Sequence, residues 1–127
     1  MADVIAAMLR EGGLQNVFSV PVPASLCAEP IAVVDGEYER TAETVAGERG
    51  VLTLKILCVR NVLDEAREIA LQARTVLRDT DWERYAEAGD VRICGMKVGY
   101  PEVQGRDRSG RWICSLPLDL AVVTDDE

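Results

Sequence analysis

The chain has 127 residues, 48% of them hydrophobic, and its 22 acidic and 14 basic side chains give a formal net charge of −8 at pH 7. This length and hydrophobic content suit one globular domain spanning residues 1–127, and they exclude a disordered chain. The negative charge argues against general nucleic-acid binding, which needs a basic surface. The sequence has no histidine, which excludes Ser-His and Cys-His catalytic arrangements and zinc sites built on imidazole.

The sequence carries no signal for a membrane or for secretion. No apolar run reaches the ~18–20 residues that a membrane span needs, and Asp3 stands where a secretory signal carries basic residues. We therefore expect a soluble protein made in the cytosol. The cysteines include no closely spaced pair and are expected to be buried free thiols: Cys27, Cys58, Cys94 and Cys114.

The first elements are a helix and an extended segment. Apolar residues at helical spacing predict a helix over Val4–Arg10, with Asp3 as its N-cap and the glycine pair at 12–13 as its end. Asn16–Val22 is rich in β-branched and aromatic residues, and nearby prolines mark it as an edge strand or an extended arm. Leu26–Pro30 is expected to be a connection.

A β-hairpin is predicted next, with strands Glu37–Val45 and Val51–Arg60 joined by a glycine-bearing loop, Ala46–Gly50. If Val45 faces Val51, one strand face is apolar and suited to packing against a helix. That face carries Leu52, Leu54, Ile56 and Cys58 opposite Thr44, Ala42, Arg40 and Tyr38. The other face is mixed and carries a row of glutamates, so it is expected to meet water or a partner.

The main helix is predicted over Val62–Arg78, with Asn61 as its cap and with acidic and basic ends as the helix dipole prefers. Its apolar stripe contains alanines that allow close approach to a sheet: Val62, Ala66, Ile69, Ala70, Ala73, Val76 and Leu77. Asp79–Gly89 follows as a short helical turn or surface loop. In it, Trp82 and Tyr85 are expected to cover one end of the core, with an interface role as the alternative.

A second hairpin is predicted from Val91–Tyr100 and Arg111–Val123, with residues 104–110 in the loop between them. The last strand alternates apolar side chains onto one face: Trp112, Cys114, Leu116, Leu118, Leu120 and Val122. Pro117 predicts a bulge or an exposed edge, and Thr124–Glu127 a frayed acidic tail. The fold class is therefore α+β, an antiparallel sheet of two β-hairpins packed on one face by a long helix and a short N-terminal helix.

Carboxylates are the most abundant candidates for chemistry. They occur as Glu37, Glu39 and Glu43 on one predicted strand face, as Asp79 with Asp81, and as Asp125 with Asp126. Acid–base catalysis needs two carboxyls in unlike environments at a cleft, and no apolar pocket is evident around these. No EF-hand or phosphate-binding loop is present either. We therefore expect no enzyme, no metal and no cofactor.

The 104–110 loop reverses the local charge of an acidic chain, because Arg106, Arg108 and Arg111 cluster there. Such a cluster suits docking on an acidic surface of a neighbouring subunit. The same region carries a Pro-x-x-x-Gly-Arg-Asp-x-x-Gly-Arg-aromatic pattern, formed by Pro101, Gly105, Arg106, Asp107, Gly110, Arg111 and Trp112, with Ser115 after it. With the helix before it and the alternating strand after it, this pattern resembles the tail-terminator (tail-completion, or minor capsid) proteins of long-tailed bacteriophages and prophages. The chain departs from the family pattern after Ser115, where the family often has a polar residue and an aromatic. The residues at this place are Leu116, Pro117 and Leu118.

The resemblance implies a subunit of a ring, typically a homohexamer, that caps the tail tube and provides the head-joining surface. Its partners would be copies of itself, the tail tube protein and the head–tail connector protein; DNA would only pass through, and no membrane is involved. It implies a virion (tail) location after assembly in the bacterial cytoplasm. In this hypothesis the ring interior is lined by Glu37, Glu39 and Glu43, and the subunit or tube interface is formed by Arg106, Asp107, Arg108, Arg111 and Trp112.

Two other functions remain open from the sequence. A head–tail joining or neck subunit uses similar small domains. A non-phage soluble interaction module would bind its partner through an exposed sheet edge.

Overall fold

The computed structural model describes residues 1–22, 25–44, 47–85, 87–88 and 91–125. Helix α1 spans Ala2–Glu11 and helix α2 spans Leu63–Asp79, with a 3-10 turn at Trp82–Tyr85. The strands of the described residues are β1 Val17–Phe18, β2 Ile31–Thr44, β3 Gly47–Arg60, β4 Glu87–Ala88, β5 Val91–Val98, β6 Glu102–Arg106 and β7 Trp112–Asp125. None of the helices in these ranges is long and apolar enough to span a membrane.

The strands form one mixed sheet, and the fold is α+β as predicted. The order is β1-β2-β3-β7-β5-β4, and β6 also pairs with β7. The prediction of an antiparallel-only sheet is wrong, because β1 runs parallel to β2, with Val17 opposite Ile31. The Ile31 N–H donates to the Asn16 carbonyl oxygen at 2.8 Å and extends this parallel pairing by one hydrogen bond.

The first hairpin is present, but its register differs from the predicted one. β2 begins at Ile31 rather than Glu37, and Ile31 and Val33 pair with Cys58 and Ile56. All four side chains are fully buried, which explains why this register is preferred: pairing the apolar start of β2 with the apolar end of β3 buries both. Val45, the predicted end of the first strand, and Ala46, the predicted start of the turn, lie outside the described residues.

The second predicted hairpin is divided between two strands. β5 pairs with residues 118–124 of β7, and β6 pairs with residues 112–115. Part of β6 falls in the predicted loop 104–110. Pro117 pairs with Lys55 of β3 without a register shift, so the predicted bulge or exposed edge is wrong. The Pro117 carbonyl accepts the Gly99 N–H at 2.9 Å, so the missing N–H of the proline faces the point where the neighbour of β7 changes from β5 to β6. The Gly99 carbonyl, which would accept that N–H in a regular ladder, accepts Nε of Arg74 at 3.0 Å instead.

The hydrophobic core lies between the two helices and one face of the sheet, here called the helix-packed face. The predicted alternation on β7 is confirmed, and α2 approaches the sheet through small side chains. The fully buried set includes Ile5, Leu9, Leu54, Ile56, Ala66, Ala70, Ala73, Leu116, Leu118 and Leu120. Trp112 and Trp82 pack partly buried against this core; the Tyr85 side chain lies outside the described residues.

Both helices are confirmed, but their predicted N-caps are wrong. Helix α1 begins earlier than expected, so Asp3 lies inside its first turn rather than at the cap. Helix α2 begins at Leu63, and the backbone of Val62 before it is extended. Val62 is half-exposed, so it does not belong to the buried apolar stripe in which it was predicted. Asn61 lies outside the helix, and its backbone N–H donates to Glu29 Oε2 at 3.2 Å.

All four cysteines are free, as predicted, but only two are buried. Cys58 and Cys114 lie opposite each other on β3 and β7, and burial raises the pKa of the Cys58 thiol to about 12 and also raises the pKa of Cys114. These thiols are therefore unreactive at neutral pH. Cys27 is half-buried and Cys94 is exposed.

Gly36 lies at a register shift of β2, where a side chain has no space. A Cβ at this position would clash with the backbone carbonyl oxygen of Thr53. We expect Gly36→Ala to lower the free energy of unfolding by about 1–3 kcal/mol, because the rigid backbone has to move. Gly95→Ala is the matched control, since its Cβ would lie 3.6 Å from that of Ala121 in ordinary contact. Equal midpoints for both variants in urea unfolding would contradict this.

Candidate assembly interface

The segment that joins β6 to β7, residues 106–111, is here called the arginine loop, and it includes Arg106, the last residue of β6. The Asp107 carboxylate organises it: Oδ1 accepts the backbone N–H groups of Ser109 and Arg111, each at 2.9 Å. The Asp107 N–H donates to the Arg111 carbonyl at 2.9 Å, and the Gly110 N–H to the Asp107 carbonyl at 3.0 Å. Gly110 has a φ of +80°, which glycine adopts at no steric cost. The loop is therefore held in one conformation.

Arg111 is an internal residue of this loop rather than part of its surface. It is only 9% exposed, and its Nε donates to Asp107 Oδ2 at 2.7 Å. Its Nη1 donates to the carbonyls of Cys27 and Ala28 at 3.1 and 3.2 Å. Arg111 thus fastens the loop to the connection that precedes β2, and its guanidinium is not presented to a neighbour.

These hydrogen bonds also lower the pKa of Asp107, chiefly through the backbone N–H of Arg111 and further through the Arg111 side chain. A carboxyl whose pKa is lower in the folded state stabilises the fold above its ordinary pKa, about 3.9. That stabilisation is lost as the pH falls through the lowered value. The loop is therefore in its ordered form at neutral pH.

Two other arginines of the cluster are exposed. The Arg106 guanidinium lies 4.8 Å from the centroid of the Trp112 ring, its cross-strand partner, in a cation–π contact. Arg108 is exposed at the loop tip, and none of the ion pairs or hydrogen bonds among the described residues involves it. The arginine loop therefore presents two cations, Arg106 and Arg108, on a rigid base.

The glutamates Glu37, Glu39 and Glu43 are all exposed on β2, but they do not form one row. Glu39 pairs with Val51 and Glu43 pairs with Glu48. Since β3 pairs regularly with β7 along its whole length, residues 51 and 48 point to opposite faces of the sheet, and so do Glu39 and Glu43. The predicted single face is wrong because register shifts interrupt β2.

Glu43 instead belongs to a polar network at the far end of the β2–β3 hairpin. Arg40 Nη1 lies 3.5 Å from a carboxylate oxygen of Glu43 and 3.6 Å from one of Glu48. The Tyr38 hydroxyl donates to Glu48 Oε2 at 2.8 Å, and this bond raises the pKa of Tyr38. The Tyr38 ring lies over Gly50. Sequence reasoning missed this network, because it depends on the register.

A groove of about 500 Å³ opens beside this network, on the helix-packed face of the sheet. It is here called the acidic groove. Leu52, Val91 and Val122 give it apolar walls, and Asp35, Tyr38 and Glu48 give it polar ones. Asp35 is exposed and makes no ion pair with another described residue. Met1 also lines the groove, so the described charges here are the three carboxylates of Asp35, Glu43 and Glu48 against Arg40 and the Met1 amino group, an excess of one negative charge.

The remaining candidate residues have local structural roles or lie outside the described residues. Asp81 Oδ1 accepts the Glu83 N–H at 3.3 Å and so supports the start of the 3-10 turn, and Asp79 is the last residue of α2. The side chain of Asp125 and all of Asp126 lie outside the described residues. Among the side chains that are described, no group of three or more His, Cys, Asp or Glu is arranged to hold a metal ion.

No protein-family model matches this sequence, and no curated protein matches it. Among solved structures, the chain is similar to a chain of a structure described as the virion of a native gene transfer agent (GTA) particle. The two chains are 14% identical, with a TM-score of 0.63 over 97% of this chain and 94% of that one. At this identity the likeness shows a shared fold, and it extends over nearly the whole length of both chains.

Proposed function

We propose that this protein is a structural subunit of a phage or prophage virion, and specifically a tail terminator that assembles as a ring. The observation that carries the proposal is the fold shared, along nearly the whole chain, with a virion component. The pattern from Pro101 to Trp112, which resembles tail terminators, narrows the role within the virion.

In this role the chain works by contact and not by chemistry. Copies of the chain, typically six, form a ring on the tail tube protein, and the opposite surface of the ring meets the head–tail connector protein. Glu37 and Glu39 are exposed and repel the phosphates of DNA that passes through the bore. The protein is then a non-enzymatic component of the virion tail that is assembled in the bacterial cytoplasm.

The test is a tube-assembly assay with purified tail tube protein. We expect tubes grown with the protein to be shorter and closed at one end by a ring in negative-stain images. Tubes grown alone, or with an unrelated acidic protein of similar size, should continue to lengthen. Binding to the connector with no effect on tube length would instead indicate a neck subunit. A monomer that binds neither would contradict the proposal and favour the non-phage interaction module.

A further inference from the structure

The arginine loop and the acidic groove lie at opposite ends of strand β7. The loop ends at Arg111, directly before Trp112, whereas Val122 lines the groove near the other end of the strand. Ten residue steps at ~3.3 Å each separate Trp112 from Val122, about 33 Å. The loop of one chain therefore cannot reach the groove of the same chain, and only a second copy can bring these two surfaces together.

We propose that the arginine loop of one copy docks in the acidic groove of the next copy. The inference rests on the proposed ring and names the contact that builds it. Two different surfaces meet in this contact, so a growing row of copies always has a free arginine loop at one end and a free acidic groove at the other. Copies can therefore be added until the last loop reaches the first groove. A head-to-tail contact of this kind generates a ring when the rotation between neighbours closes, as the proposed ring requires.

Charge favours this occupant of the groove. The groove end carries the carboxylates of Asp35, Glu43 and Glu48, which outnumber the two cations described beside them, Arg40 and the amino group of Met1. The arginine loop brings Arg106 and Arg108. Opposite charges across an interface guide the encounter and exclude wrong registers. In a chain with a net charge of −8, most of the surface would repel another copy, which makes the exposed arginines of the loop the suitable part to approach the groove.

The shape and rigidity of the two surfaces support the same contact. The bonds of Asp107 and the anchored Arg111 fix the loop before it binds, so little conformational entropy is lost on docking. The apolar walls formed by Leu52 and Val122 can receive the aliphatic part of an arginine side chain. Tyr38 is 44% exposed at the groove, and tyrosine and arginine are enriched among residues that dominate interface energies.

The test is a charge-swap series measured by sedimentation velocity across a range of concentrations. Arg108→Glu and Asp35→Arg should each weaken self-association at least tenfold, because like charges then meet. The double variant carries both swapped surfaces on every copy and should restore association to within about threefold of the unmodified chain. Arg78→Glu is the matched control, since it makes the same charge change at an exposed position on α2 and should leave association unchanged.

Thermal unfolding and circular dichroism establish that each variant is folded. Single variants that associate like the unmodified chain would overturn this contact and leave the proposed ring standing. Weak single variants without restoration in the double variant would also overturn it, because the two side chains then do not face each other. An unmodified chain that remains monomeric both alone and with tail tube protein would overturn the proposed function itself.

Discussion

Replacing Arg111 by alanine is expected to lower the free energy of unfolding by about 3 kcal/mol, the largest effect of any single charged residue described above. The substitution removes a buried guanidinium that bonds Asp107 and the carbonyls of Cys27 and Ala28. Hydrogen bonds to charged groups contribute ~1.5–3 kcal/mol, and breaking a buried pair costs ~3–5 kcal/mol. Because the Arg111 and Asp107 side chains remain 11% and 19% exposed, we take the lower end of that range. The measurement is urea unfolding followed by circular dichroism.

Arg108→Ala is the control for this prediction. It removes an arginine from the same loop, but one that is exposed and has no partner among the described residues, so the expected change is within ~0.5 kcal/mol. If both alanine variants unfolded at the same urea concentration, Arg111 would not hold the loop in the way described. The two arginines would then be equivalent surface residues, as the sequence alone suggests.

Ala70→Leu is expected to lower the free energy of unfolding by about 3 kcal/mol, at the upper end of the usual cost of overpacking. Ala66, Ala70 and Ala73 are fully buried between α2 and the sheet, and three added methylene-sized groups would have to push the helix away. Interiors packed at crystal-like density cannot absorb such a change. Thermal unfolding should show the loss as a fall in Tm of roughly 10 °C.

Gln72→Leu is the matched control on the same helix, because Gln72 is exposed and leucine is a good helix former. Its Tm should change by no more than a few degrees. A large loss in both variants would indicate that leucine is unfavourable anywhere on α2. No loss in Ala70→Leu would contradict the close packing of the helix on the sheet.

The sequence predicts best the elements whose pattern is long and local. Helix α2 has a four-turn apolar stripe, and β7 alternates from Trp112 to Val122, so both lie within a residue or two of their predicted positions. β6 was missed in part because Glu102–Arg106 has polar ends and a glycine, without the alternation that marks a strand. The apolar side chains of this strand pair lie mainly on its partner, β7.

Register and burial of charge are the features that the sequence does not determine. The register shift between Arg40 and Ala42 of β2 moves Glu43 away from the face of Glu39, and a bulge has no reliable signature in a polar strand. Likewise, three arginines in one short segment look equivalent, although the contacts that bury Arg111 come from residues 27 and 28, more than eighty positions earlier. Such contacts depend on tertiary structure.

The most direct test of the central claim, that this chain acts by assembling with copies of itself, is its mass in solution by light scattering after size exclusion. At tens of micromolar we expect a single species several times heavier than the 13.9 kDa chain. Six copies would give about 83 kDa, six times that mass. A mass of one chain at every concentration, with and without tail tube protein, would contradict it.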